Sequence, residues 1–247
     1  MPSNKKRSAQ KIDMIWTRPE KPARGPSLNR DQIVKTAIQI ADAKGLQAIT
    51  IRGVAAELGV APMSLYYHVR TKNDLLDLMM DAAFGEMEFP DKLSGDWRKD
   101  IRFAAYQALA ISRRHLWLTT LMAERPPLGP NFFHHFEFFL AALDSTGITM
   151  AVIVDIANIV NNYITGFVLN EARQESMKRQ SGLSDAEWNA AIAPHLQRLI
   201  ATGQYPTIAR LIKAGSLTGP DQSFDFGLDC LLEGITARIK SNVGLRR

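Results

Sequence analysis

Apolar residues recur every three or four positions along most of this chain, which is the spacing of amphipathic helices. The first such segment, residues 33–41, places its aliphatic side chains on one helical face. Asn29 precedes it as an N-cap with Gln32 at the capping-box position, and Gly45 follows as a stop signal. The pattern therefore predicts an α-helix that begins after Asn29 and ends at Lys44–Gly45.

Two short helices joined by a tight turn are predicted next. Thr50 can cap the first and Gly59 can end it, while Pro62 suits the first position of the second. We expect three side chains of this region to face inward: Ala61, Leu65 and Val69. The remaining positions of the second helix should point outward: Met63, Ser64, Tyr66, Tyr67 and His68.

These outward side chains suit phosphates and base edges of DNA. The competing interpretation is a helical hairpin whose polar face simply meets water. With the preceding helix, the pair forms a predicted three-helix helix-turn-helix head. Thr71 and Asp74 then form a capping box for a longer helix that we expect to reach about Phe89. A break at Pro90 predicts a domain boundary near residue 90.

The rest of the chain predicts a helical body. Asn131 should cap the helix that follows the proline-rich loop 125–130, and residues 178–184 should form another loop. The predicted helices cover residues 97–114, 117–123, 131–147, 150–170, 184–201, 206–214 and 223–240. The last helix should bury one stripe: Phe224, Leu228, Leu231, Ile235 and Ile239. Two of its glycines, Gly227 and Gly234, lie seven residues apart, on a side where another helix could approach.

Residues 150–170 are apolar enough to raise the question of a membrane span. Four polar residues argue against it, because burying them in lipid would cost several kcal/mol. These are Asp155, Asn158, Asn161 and Asn162. A largely buried helix is the better interpretation, and we expect no membrane partner.

Composition adds a basic leading arm. The chain has 247 residues, 46% hydrophobic content and a net charge of +5, and eight basic but only two acidic residues fall in positions 1–30. We expect residues 1–27 to be a flexible arm whose end can contact DNA. A solvated leader without a role fits equally well. The single cysteine, Cys230, fits a reducing, cytoplasmic compartment.

No set of residues points to an enzyme, a cofactor or a metal site. His134 and His135 are adjacent, so on a helix their side chains diverge by about 100° and do not readily chelate one ion. Several side chains could instead line a ligand cavity; the alternatives are ordinary core packing for the aromatic residues and a solvated edge for the asparagines. The candidates are Trp117, Phe132, Phe136, Asn158, Asn162 and Phe167.

Two stretches, "IVKTAIQIADAKGLQAITIRGVAAELGV" and "LYYHVRTKNDLLD", resemble the N-terminal domain of the TetR family of bacterial regulators. "YITGFVLNE" and "FDFGLDCLLEGI" resemble, less strongly, the tetracycline-repressor-type C-terminal domain. The resemblance implies contacts to double-stranded operator DNA from Arg52, Pro62, Met63, Ser64, Tyr66, Tyr67, His68 and Lys72. It also implies a homodimer through helices near 150–175 and 222–240.

The hypothesis is an all-α protein with a DNA-binding domain over 28–90 and a ligand-binding and dimerisation domain over 91–247. It would be a repressor that a small molecule releases from its operator. Thr119 and Thr120 stand where the tetracycline repressor has a metal-holding histidine, so we expect a different, apolar or amphipathic effector. The alternative is a helical small-molecule-binding protein with a non-functional head.

Overall fold

The computed structural model describes residues 14–18, 28–214 and 220–244, and in these ranges every regular element is helical. The prediction of an all-α chain is confirmed. The α-helices are α1 (Arg30–Lys44), α2 (Ile51–Glu57), α3 (Pro62–His68), α4 (Lys72–Phe84), α5 (Trp97–Arg114), α6 (Leu116–Glu124), α7 (Pro130–Asp144), α8 (Met150–Ser181), α9 (Asp185–Ala201), α10 (Pro206–Ala214) and α11 (Pro220–Gly244). Single 3-10 turns cover Ile15–Thr17 and Leu46–Ala48.

The chain divides into two compact units, Met1–Ala142 and Leu143–Arg247. In the first, predicted caps fix where the helices begin. The Asn29 side chain accepts from the Gln32 N–H at 2.8 Å, and Thr71 accepts from Asp74 N–H at 3.0 Å. Both are complete capping boxes, and Thr50 caps α2 through the Gly53 N–H. Each predicted start is confirmed.

The core of the first unit holds α3 by its apolar side. Leu65 and Val69 are fully buried, as predicted, together with Leu75 and Met79 of α4. Ala61 is exposed, so its predicted inward position is wrong. The physical reason is that Ala61 is the N-cap of α3 and has extended backbone angles, which removes it from the helical register.

Two helix ends in the first unit differ from prediction. α4 ends at Phe84 rather than near Phe89, because a poor helix former, Gly85, follows and Met87 turns back into the core. α7 begins at Pro130, so Asn131 lies inside the helix and is not its cap. A carboxylate from α4, Asp81, accepts the N–H groups of Asn131 and Phe132 instead.

The second unit is organised around α8 and α11. α8 runs through the predicted loop at 178–184 and stops only at Gly182, which has φ 65°. Its polar second half was missed because a solvent-facing helix made of good helix formers carries little apolar signal. α11 buries Phe224, Leu228, Leu232 and Ile235. Leu232 is buried in place of the predicted Leu231, and the predicted Ile239 is only half-buried.

The two glycines of α11 differ in their surroundings. A Cβ at Gly227 would lie 2.3 Å from the Tyr163 Oη of α8, whereas one at Gly234 would meet no described atom within 4 Å. The Tyr163 hydroxyl also donates to the Phe224 carbonyl at 2.8 Å. Gly227 therefore permits the close approach of α8 to α11, and Gly234 has no such neighbour among the described residues.

α8 has the length and composition of a membrane span, with a mean hydropathy of 1.5 over its most apolar window. Only 28% of this window is buried within the described part of the chain, so the prediction of a largely buried helix is wrong. Asp155, Asn158, Asn161 and Asn162 all lie exposed along this helix. Polar residues at these depths would be costly in lipid, so α8 does not by itself indicate a membrane protein.

Candidate nucleic-acid interface and ligand-binding residues

α3 presents an exposed face opposite its buried residues. Met63 is 76% exposed and Tyr66 is 43% exposed. Pro62 and Ser64 are also exposed, while Tyr67 is half-buried. A seven-residue helix with such a large exposed apolar side chain and an exposed phenol can approach base edges and thymine methyl groups.

His68 ends α3 half-buried beside Tyr67, with the two ring centres 5.3 Å apart. Burial, assisted by the positive charge of Arg30, lowers the pKa of His68 below its ordinary value. The imidazole is therefore neutral near pH 7. It can contact a phosphate through a hydrogen bond, but not through a full positive charge.

The two predicted cationic contacts flank α3 in the chain. Arg52 lies in the first turn of α2 and Lys72 in the first turn of α4, and both residues are exposed. The side-chain caps Thr50 and Thr71 fix the backbone directly before them. Cations anchored in this way suit the phosphates on either side of a base-reading helix.

Part of the predicted flexible arm is anchored. Residues 14–18 form a turn in which Ile15 is buried in the core of the first unit. Arg18 Nη1 donates to Asp74 Oδ2 at 2.7 Å, and both side chains are almost buried. Asp74 thus joins the arm to the start of α4. The remainder of the arm, including its predicted DNA contact, lies outside the described residues.

The predicted ligand-binding residues of the first unit fall into two places. Phe132 and Phe136 stack along α7 with ring centres 5.6 Å apart, and Phe84 of α4 meets the Phe132 edge at 5.2 Å. Trp117 is buried beside α1, where its indole N–H donates to Asp42 Oδ1 at 2.7 Å. Phe132 and Phe136 are half-buried, so a ligand could contact their rings. Trp117 instead has a structural hydrogen bond to Asp42.

The predicted ligand-binding residues of the second unit are also separated. Phe167 packs edge-on against Phe224 of α11, with ring centres 5.2 Å apart. Asn158 and Asn162 lie on the exposed side of α8. Phe167 therefore contributes to the packing of α8 on α11, and the two asparagines face outward from it.

The sequence does not predict the ion pairs and hydrogen bonds that hold α4 and its C-terminal end. Asp77 accepts from Arg125 Nε at 3.0 Å, and Asp81 accepts from the first turn of α7. Burial raises the pKa of Asp81, although its hydrogen bonds to Phe132 and Asn131 oppose this. These pairs are about 50 residues apart in sequence, so no local pattern could have revealed them.

A buried histidine completes these contacts. His115, at the junction of α5 and α6, places Nδ1 2.8 Å from Asp42 Oδ1 of α1 and Nε2 3.2 Å from Glu86 Oε1. Glu86 lies two residues after the end of α4 and also pairs with Arg114. The end of α4 is therefore joined to α1 and to the α5–α6 junction through one side chain.

The fold and the exposed α3 define a helix-turn-helix DNA-binding protein. Residues 33–79 match the family described as bacterial regulatory proteins, tetR family, and residues 89–239 match the tetracyclin repressor-like C-terminal domain. The chain belongs to the TetR family, which confirms the resemblance seen in its sequence motifs.

Individual relatives cover nearly the whole chain. The HTH-type transcriptional repressor DrrR1 of Streptomyces coeruleorubidus is 37% identical over 240 residues, which span 96% of this chain and 88% of DrrR1. An HTH-type transcriptional regulator of Saccharopolyspora erythraea is 35% identical, over 90% of this chain and 91% of its own. The structure of ActR from Streptomyces coelicolor in complex with actinorhodin has a TM-score of 0.69 and 27% identity, over 87% of this chain and 99% of ActR.

These relatives confirm the predicted class, a ligand-responsive transcriptional regulator of the repressor type. Regulators of this family bind operator DNA and small-molecule effectors, typically as dimers.

Proposed function

We propose that this chain is a homodimeric repressor whose α3 enters the major groove of its operator and whose body binds the small molecule that releases it. The exposed face of α3 is the observation that carries the proposal. Met63 and Tyr66 are the only large apolar side chains exposed in residues 28–90, all of which are described. Because both lie on one short helix, α3 is the place in this range where a partner would remove the most exposed apolar surface from water.

The roles of the DNA contacts follow from their chemistry. Met63 and Pro62 suit thymine methyl groups, and Tyr66 and Ser64 suit base edges or phosphates. Arg52 and Lys72 neutralise phosphates, while Tyr67 and His68 position the backbone by hydrogen bonds. In a dimer, the two copies of α3 would read half-sites about 34–36 Å apart.

Helix α4 is the element through which an effector would act. Its carboxylates Asp77 and Asp81 hold the loop before α7 and the first turn of α7. A ligand that shifts α7 therefore also displaces α4 through these contacts. The first turn of α4 contains Lys72. Release requires that the effector bind the DNA-incompetent arrangement more tightly, and couplings of this kind are about 1–3 kcal/mol.

The remaining assignments complete the proposal. Residues 28–90 bind DNA, and residues 91–247 bind the effector and form the dimer through the helices near 150–175 and 222–240. The half-buried rings of Phe132 and Phe136 are the strongest of the predicted effector contacts, because they can meet a ligand without losing a structural bond. The protein acts in the cytoplasm, and regulation rather than catalysis is its role.

The test uses fluorescence anisotropy to measure equilibrium binding to the DNA upstream of the protein's own gene at several salt concentrations. We expect the logarithm of the affinity to fall linearly with the logarithm of salt. Lys72→Ala should weaken binding and reduce the slope by about 1, whereas the control Lys99→Ala, an exposed lysine of α5, should change neither. Binding equal to that of an unrelated DNA would favour the alternative of a non-functional head.

A further inference from the structure

One polar atom in the first unit is enclosed by aromatic rings and has no partner. His135 Nδ1, on α7, is fully buried and makes no hydrogen bond within the described part of the chain. Phe84 lies almost parallel to the imidazole, with ring centres 6.0 Å apart, and Phe89 covers it at 5.2 Å. The imidazole is thus held between two phenyl rings.

An orphaned nitrogen of this kind calls for an explanation, because buried polar groups in folded proteins are nearly always paired. Packing alone would be served better by a phenylalanine, which is the residue at Phe132, Phe133, Phe136 and Phe138 along the same helix. A polar atom kept in apolar surroundings is typical of ligand sites, where a few placed polar groups orient a molecule among rings.

The two covering rings differ in how firmly they are held. Phe84 is buried and belongs to α4. Phe89 is half-buried and lies in the non-helical segment between α4 and α5, against Phe138 at 4.9 Å and Phe103 at 6.0 Å. No helical hydrogen bonds fix the backbone of Phe89. Its ring can therefore be exchanged for another planar ring more readily than that of Phe84.

We propose that His135 is the polar anchor of a site for a planar aromatic molecule that bears a hydroxyl group and takes the place of the Phe89 ring. The assignment rests on the proposed effector-responsive function and specifies the class of effector. A hydroxyl group suits either tautomer of the imidazole, because it can donate to a bare Nδ1 or accept from a protonated one.

The electrostatics of the site favour a neutral molecule. Burial, followed by the charge of His134, lowers the pKa of His135 to about 4. The imidazole is uncharged at pH 7 and gives no attraction to a carboxylate or phosphate. An aromatic acid would lose its hydration here without gaining an ion pair, so a phenol should bind better than the matching acid.

The test compares two probes on the full-length protein, 2-naphthol and naphthalene, by equilibrium dialysis. A purely apolar site prefers naphthalene, since the hydroxyl of 2-naphthol must give up its water. The proposal predicts the opposite order, with 2-naphthol binding about tenfold tighter. Tighter binding of naphthalene, or no binding of 2-naphthol, would overturn the assignment without any variant being made.

Variants then test whether the hydroxyl of 2-naphthol binds at His135. His135→Phe should remove the preference for 2-naphthol, and His135→Asn should retain part of it, because an asparagine keeps a polar atom near the Nδ1 position. His195→Phe makes the same exchange at an exposed histidine of α9; it is the matched control and should keep the full preference. An unchanged preference in His135→Phe would contradict the proposal.

DNA binding separates this proposal from the proposed function. His135→Phe leaves α3 intact and should bind upstream DNA like the wild type, while losing release by 2-naphthol. If the wild type fails to bind the DNA but still prefers 2-naphthol through His135, the regulator proposal fails and the site stands. If DNA binding is normal and the preference is absent, only the site is wrong.

Discussion

The head, residues 28–90, and the long helices of the second unit differ in where they expose large apolar side chains. Residues 28–90 expose two large apolar side chains, both on α3. α8 exposes Ile159 and Leu169, each at 47%, and α11 exposes Phe226 at 73%. The head thus buries its other large apolar side chains within one chain, and the two that it exposes lie on α3. The exposed apolar side chains of α8 and α11 instead suit a second copy of the chain, because large apolar patches on soluble proteins mark interfaces.

The largest expected effect comes from exchanging the two kinds of exposed side chain for a charge. Phe226→Glu should raise the dimer dissociation constant about 100-fold or more, because it buries an unpaired carboxylate in the proposed interface. Sedimentation velocity measures this directly. Met63→Glu is the matched variant in the head and should leave the dimer intact while weakening DNA binding. A Phe226→Glu protein that remains dimeric at the wild-type concentration would refute the proposed dimer face.

A second comparison concerns two neighbouring histidines of α7: His134 is exposed, whereas Nδ1 of His135 is buried and has no hydrogen-bond partner among the described residues. The folded-state pKa of His135, about 4, lies below the ordinary value of 6.5, so the unfolded chain binds the proton more readily. The free energy of unfolding should therefore fall as the pH drops from 6.5 towards 4. Between pH 7 and pH 5 this group accounts for about 2 kcal/mol.

Urea denaturation at the two pH values measures this loss. His135→Leu should lose less stability between pH 7 and pH 5 than the wild type, by that same amount, while Phe133→Leu, at an exposed position of the same helix, should behave as the wild type does. Equal losses in wild type and His135→Leu would mean that His135 is not the titrating group.

The smallest expected effect compares helix caps in the two units. Thr71 caps α4 with its side chain, whereas Thr149 precedes α8 without a side-chain cap. Thr71→Ala should cost about 1 kcal/mol of unfolding free energy, and Thr149→Ala should stay within about 0.5 kcal/mol of wild type. A loss in Thr71→Ala as small as that expected for Thr149→Ala would show that the Thr71 capping box contributes little.

Local signals explain what the sequence could predict. Each predicted capping box pairs residues three positions apart, as at Asn29 and Gln32 or Thr71 and Asp74, so a short window contains the whole interaction. The exposed face of α3 followed from the spacing of Leu65 and Val69 in the same way. Interactions that close within one turn can be predicted without knowing the fold.

The contacts that the sequence does not predict are between residues that only the tertiary structure brings together. The first turn of α7 is capped by Asp81, which lies 50 residues earlier in the chain, and this is why Asn131 was misassigned as the cap. His115 meets Asp42 across 73 residues. The aromatic enclosure of His135 likewise joins α4, the following segment and α7. Residues this far apart carry no joint pattern in a single sequence.

The central claim, that α3 reads DNA, is tested most directly by two tyrosines of equal exposure. Tyr66 of α3 is 43% exposed and Tyr106 of α5 is 41% exposed. In anisotropy titrations with the upstream DNA, Tyr66→Ala should weaken binding about tenfold or more, and Tyr106→Ala should match the wild type. Equal affinities for wild type, Tyr66→Ala and Tyr106→Ala would contradict the claim.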